Sequence, residues 1–173
     1  MIFTLFLIIP VIIFWALDNR KLFKKFIIIY VAIDTIRLLF GIFMLIPSIS
    51  DYTGASGGDE LFKDVLYIWS INVIVFGVWY WILDAGGPYK RNDELYERRD
   101  FLFPQFGNPI KGWEKWKPDF VDYLFLAFST STTFGPTDTM VLSRRVKALM
   151  IVQVVASLTS LSVIAARAVN ILK

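Results

Sequence analysis

Residues Asp119 to Leu172 read DFVDYLFLAFSTSTTFGPTDTMVLSRRVKALMIVQVVASLTSLSVIAARAVNIL, and this stretch decides the fold. An apolar helix is expected from about Phe120 to Phe128, a hydroxyl-rich turn from Ser129 to Asp138, and a long apolar helix from about Ser143 to Leu172. Pro118 and Asp119 form a helix start signal, with Asp119 as N-cap and Asp122 three residues on. Gly135-Pro136 then breaks the helix. Crossing a bilayer takes roughly 20 apolar residues, so the first helix is too short to cross and the last is long enough. Irregular backbone at membrane depth survives only where protein covers it or where it lines a watery cavity. The pattern therefore predicts a half-helix, a return loop and a spanning helix.

The rest of the chain agrees with that class. Its 173 residues are 56% hydrophobic and 19% charged, and the apolar ones come in long runs, as in a polytopic helical membrane protein. A net charge of +3 is too small to imply a nucleic-acid partner. The basic residues sit in short loops, where they report membrane orientation. There is no cysteine and no histidine, which excludes disulfides, haem, thiolate zinc sites and any Cys-His or Ser-His nucleophile pair. Asp34, Arg37 and Asp122 form no acid-base constellation, so no enzyme is expected.

Three further spans precede the half-helix. The first, Ile2 to Leu17, contains Pro10, which would kink it. A signal peptide would want its positive charge before the apolar run, and here Arg20, Lys21, Lys24 and Lys25 follow it. The second span, about Phe26 to Pro47, carries Asp34 and Arg37 on one helical face. Read simply, they are an ion pair that neutralises itself; read functionally, they are a contact on an ion path. Ser48 to Asp64 reads as a flexible acidic loop before a third span, Val65 to Leu83, in which Asn72 is expected to bond across to another helix. Lys90 to Asp100 (KRNDELYERRD) reads as a solvated helix laced with ion pairs. The Phe- and Trp-rich run after it, Phe101 to Pro118, is expected to lie flat at the membrane interface.

The half-helix, loop and last helix resemble the pore module of tetrameric potassium-channel-like proteins. In that family a pore helix leads into T-V-G-Y-G-D and an inner helix follows. Here the corresponding run is Thr133-Phe134-Gly135-Pro136-Thr137-Asp138, preceded by Ser131-Thr132. Pro136 stands where the family has an aromatic residue, and Thr137 where it has a second glycine. The resemblance implies an ion-conduction filter at Thr132, Thr133, Phe134, Gly135, Pro136, Thr137 and Asp138. It also implies an inner helix on which Gln153, Ser157 and Ser160 contribute to gating, Ser157 occupying the place of a hinge glycine. The last helix is rich in small and hydroxyl residues, which suit close helix contact or the lining of a watery cavity. No cofactor is implied beyond permeating monovalent cations such as K⁺ or Na⁺. The implied partners are the lipid bilayer and three further copies of the chain. The C-terminal end is also similar to the ends of bacterial inner-membrane proteins of unknown function, which implies that membrane as the location.

In such a filter, backbone carbonyls and a threonine hydroxyl replace the water shell of the ion. Gly135 is the residue expected to take unusual dihedrals, while Pro136 and the β-branched Thr137 resist them, so a shorter or wider filter is expected. The plain alternative is that STSTTFGPTD is a turn between helices, since Ser, Thr, Gly, Pro and Asp are the usual turn residues. Against it, five hydroxyl residues follow directly on an apolar run too short to span. The fold class expected is an all-α integral membrane protein with four transmembrane helices plus one re-entrant pore helix and a filter-like loop. Residues 1–118 would hold three spans and a connecting segment, 85–118, and residues 119–173 the pore-loop and inner-helix module. A non-conducting membrane protein or a small transporter is the rival reading.

Overall fold

The computed structural model describes residues 2–48, 54–91, 99–107, 111–112, 116–136 and 138–171. Seven helices occur among them: α1 (Ile2–Ala16), α2 (Arg20–Ser48), α3 (Gly54–Leu83), α4 (Pro88–Arg91), α5 (Pro104–Gly107), α6 (Phe120–Thr133) and α7 (Arg144–Ile171). Two short strands, β1 (Phe101–Leu102) and β2 (Met140–Val141), pair antiparallel, with Phe101 opposite Val141 and Leu102 opposite Met140.

Three helical stretches are long and apolar enough to cross a bilayer: Arg20–Pro47, Gly57–Gly86 and Arg144–Ala166. The protein is thus a mostly helical chain with the dimensions of a multi-pass membrane protein. α1 has 15 residues, a length of about 22 Å, and Pro10 sits inside it without ending it. Their outer faces carry large apolar side chains open to the surroundings: Phe40 and Phe43 on α2, Tyr67 and Ile74 on α3, Ile151 and Val155 on α7. In water such a surface would aggregate, whereas in hydrocarbon it is matched.

α3 is the axis of the bundle. α2, α6 and α7 all pack on it, and α1 packs on α2. The two ends are pinned differently. At one end the Lys24 ammonium donates to the Gly86 carbonyl at 2.5 Å, and the Arg145 guanidinium donates to the Leu83 carbonyl at 3.0 Å. This end gathers the starts of α2, α6 and α7, the finish of α3, and the β1/β2 ribbon. At the other end Leu45, Leu61, Val65 and Val163 close an apolar cluster between α2, α3 and α7.

That cluster corrects one expectation. The segment read as a flexible loop up to Asp64 is helical from Gly54, because burial of Leu61 and Val65 offsets the low helix propensity of Gly54, Gly57 and Gly58. The aromatic run after Asp100 also packs inward. Phe101 and Phe103 are buried against Tyr80 and Tyr123, with Phe106 and Trp116 set edge-on behind Phe103, so these rings join the core. Of the predicted solvated helix, α4 covers the start, and 92–98 lie outside the described residues.

Candidate functional site

The start of α6 follows from cap chemistry. The Asp119 carboxylate accepts from the backbone N–H groups of Val121 at 2.8 Å and Asp122 at 3.4 Å, and the Asp122 carboxylate accepts from the Asp119 N–H at 2.7 Å. This reciprocal box satisfies donors that a helix start otherwise leaves open. α6 then runs antiparallel along α3, with Trp81 against Phe120 and Trp69 against Phe128. Between these contacts, a Cβ on Gly77 would lie 3.3 Å from the Leu124 Cα, so the two helices touch backbone to backbone.

The helix does not stop at Phe128. All five hydroxyl residues, Ser129 to Thr133, are helical. Thr130 donates to the Leu126 carbonyl at 2.7 Å, Ser131 to the Phe128 carbonyl at 2.9 Å, and Thr132 to the Phe128 carbonyl at 3.0 Å. Thr133 donates to the Ser129 carbonyl at 2.7 Å, with the Gly135 carbonyl 3.2 Å away. Hydroxyls folded back on carbonyls three or four residues earlier are compatible with helix, which is why the run extends α6 instead of ending it. At 14 residues α6 is about 21 Å long, so it ends partway down the 30-residue α3.

Phe134 ends the helix in the left-handed region, at φ 60° and ψ 28°. The sequence reading gave the unusual dihedrals to Gly135. They fall one residue earlier, on the position directly after the last helical turn, and Pro136 disfavours the α region at Gly135. A Cβ on Gly135 would meet nothing within 4 Å. The chain turns with the Thr139 N–H on the Pro136 carbonyl at 3.2 Å, then returns through β2, where the Leu142 N–H donates to the Asp100 carbonyl at 2.9 Å. α6 therefore leaves the ribbon end of the bundle, and the chain comes back to that same end.

The described residues of the expected filter lie at one tip. Thr132, Thr133, Phe134 and Asp138 are exposed, Gly135 and Pro136 half-buried, and Thr137 lies outside the described residues. The Thr139 hydroxyl donates to the Asp138 carboxylate at 3.1 Å. The tip carries the last carbonyls of α6, the negative end of its dipole, which attracts a cation. The three α7 residues lie elsewhere. Gln153, Ser157 and Ser160 are buried within the chain. Gln153 accepts from the Tyr80 hydroxyl at 2.5 Å and donates to the Ala127 carbonyl at 2.8 Å, linking α3, α6 and α7. The Asn72 amide reaches across to the Ser157 hydroxyl at 3.4 Å, as its polarity at that depth led one to expect. Asp34 and Arg37 make an ion pair at 3.6 Å within α2, away from the tip.

Compared with protein-family models, with curated proteins and with solved structures, the chain matches none of them.

A cluster at the ribbon end escaped the sequence reading. The buried Asp84 carboxylate accepts from the N–H groups of Asp100 at 2.8 Å and Phe101 at 3.2 Å, and from the Tyr123 hydroxyl at 2.5 Å. Asp100, also buried, is gripped by the Arg145 guanidinium through Nε at 3.0 Å and Nη2 at 2.5 Å. Burial alone pushes the Asp100 carboxyl up, but hydrogen bonds from Arg145 and Ser143, the Arg145 charge and the Ala85 backbone outweigh it and hold it below the ordinary carboxylate range. Two carboxylates thus fasten α3, β1, α6 and α7 together. The one signal available was Asp84 at the close of an apolar run, directly before the Gly86-Gly87 break.

Proposed function

We propose that the chain is one subunit of a homotetrameric channel for monovalent cations, with α6 as a re-entrant pore helix and Thr132 to Asp138 as its filter. On this reading α1 is a fourth span beside the three long stretches, the chain carries no catalysis, and its membrane is a bacterial inner membrane. The observation that carries the reading is the path of α6: it stops partway along α3, and the backbone returns to the end it left. A connecting turn needs no such excursion. A single tip supplies one quarter of a filter, so closure requires four copies about an axis. Carbonyls of Thr133, Phe134 and Gly135 would then face the ion. The Thr132 and Thr133 hydroxyls, now spent on α6 carbonyls, would need to rotate to join them.

One observation favours the rival, a non-conducting membrane protein. Gln153, Ser157 and Ser160 turn inward, so these three side chains of α7 knit a subunit together and do not line a shared axis. Purified protein in liposomes decides between the two. The channel predicts K⁺ or Na⁺ flux, a tetramer by native mass spectrometry in detergent, and altered flux in Gly135→Ala. That variant should fold normally, because the added methyl meets open space within the chain. Silent liposomes containing folded protein, or a strict monomer or dimer, favour the rival.

A further inference from the structure

Between the first turns of α2 and the segment from the 3-10 turn at Asp84–Gly86 into α4 lies a half-open cleft of about 550 Å³. Arg20, Lys21, Lys24 and Lys25 line it from α2, and Lys90 lines it from across the cleft. Among the described residues, none that lines it is acidic. Lys90 and Arg145 lie close enough to repel the Lys24 ammonium, so the cations concentrate one sign of charge. Two of them are held in position: Lys24 by the Gly86 carbonyl, and Arg20 over the Tyr89 ring at 5.0 Å and beside Asp18 at 3.6 Å. Lys21 and Lys25 are exposed. The orientation rule explains basic residues near a span end. Lys90, just past the end of the span Gly57–Gly86, brings a further cation to the opposite wall.

The remaining walls are apolar: Phe23, Ile27, Ile28 and Ile82. They run on toward Ile29 and Ile36, which are open to the surroundings of a helix long enough to span. A soluble anion would have no use for that surface, whereas a lipid has a charged head and apolar tails joined in this order. We propose that the cleft binds an anionic glycerophospholipid, its phosphate among the five cations and its acyl chains along the apolar face of α2. The site stands apart from the α6 tip and does not depend on conduction.

The test uses full-length protein, delipidated in detergent, and native mass spectrometry with phosphatidylglycerol against phosphatidylcholine of the same chains. Phosphatidylglycerol should be retained preferentially. Lys21→Gln with Lys25→Gln should weaken its retention about tenfold or more, since each cation near an anionic head group contributes separately. Lys21→Arg with Lys25→Arg should keep it, and Lys63→Gln, on α3 near its start, should leave it unchanged. If the double glutamine variant fails to fold, Lys90→Gln on the other wall serves in its place. Equal retention of the two lipids, or undiminished retention in the glutamine variants, overturns the proposal. Displacement of phosphatidylglycerol by millimolar inorganic phosphate, or equally tight binding of glycerol 3-phosphate alone, makes the cleft a soluble-anion site and overturns the lipid assignment.

Discussion

Asp100 shows how much a single buried charge does in this chain. It is the last residue of a dense charged run, and its sequence context looks solvated. Burial beside Arg145 comes from the pairing of β1 with β2, which no local pattern in KRNDELYERRD reveals. Because its folded value lies below the ordinary 3.8, the ion pair stabilises fully above that value and is lost as pH falls through the lower, folded one. Asp100→Asn should therefore lower stability by about 1–2 kcal/mol near neutral pH, toward the lower end because Arg145 is half exposed. Thermal unfolding followed by tryptophan fluorescence, from about pH 8 down to about pH 3, should show the gap between wild type and variant closing in acid. A gap that persists unchanged at the lowest pH would contradict this. Asp119 is the opposite case: its cap was readable because all its partners lie within three residues.

At the scale of elements, α6 and α3 form the contact that holds the tip. The start of α6 could be read from cap chemistry, but its finish could not. Whether a serine or threonine ends a helix depends on where its hydroxyl points, and from Thr130 to Thr133 all four point back. The start of α3 was hidden for another reason: its glycines read as a linker, and only the packing of Leu61 against Leu45 and Val163 makes them helical. Gly77 carries the sharper consequence. With the Leu124 Cα at 3.3 Å from its absent Cβ, Gly77→Leu has no room on that face. The substitution should cost about 1–3 kcal/mol and push α6 away from α3. Disulfide trapping between cysteines placed at Trp69 and Phe128, whose rings are in contact, reports the spacing directly. Efficient trapping in the Gly77→Leu background would show that the close approach is dispensable.

For the molecule as a whole, membrane class was legible from composition, because long apolar runs have only one solvent that suits them. Charge is divided between the two ends of the bundle. Arg20 to Lys25 and Arg144 to Lys147 share the ribbon end, while Asp59, Glu60 and Asp64 sit in the opening turns of α3 near the Leu45 cluster at the other. Basic residues in short segments favour the cytoplasm, so the ribbon end should face it, and α6 should enter from the cytoplasmic side, the reverse of the familiar potassium-channel arrangement. Single cysteines at Asn19, Ser56 and Ser143 check this, since the native chain has none. An impermeant reagent on intact cells should label Ser56→Cys alone. Labelling of Asn19→Cys and Ser143→Cys, with Ser56→Cys protected, would restore the familiar arrangement.

The two-residue ribbon also sets an order of events. β1 is made before α6 and β2 after it, so the ribbon can close only once the half-helix has been made. Arg145, the second fastening, is later still. During synthesis α6 is complete before Gln153, which donates to the Ala127 carbonyl, has been made. The β1/β2 clasp and the Arg145 ion pair can therefore form only after α6 has been made. Nascent chains arrested before Met140 emerges should trap a cysteine at Phe128 with one at Trp69 less efficiently than released full-length chains, since they lack the clasp and the Gln153 bond.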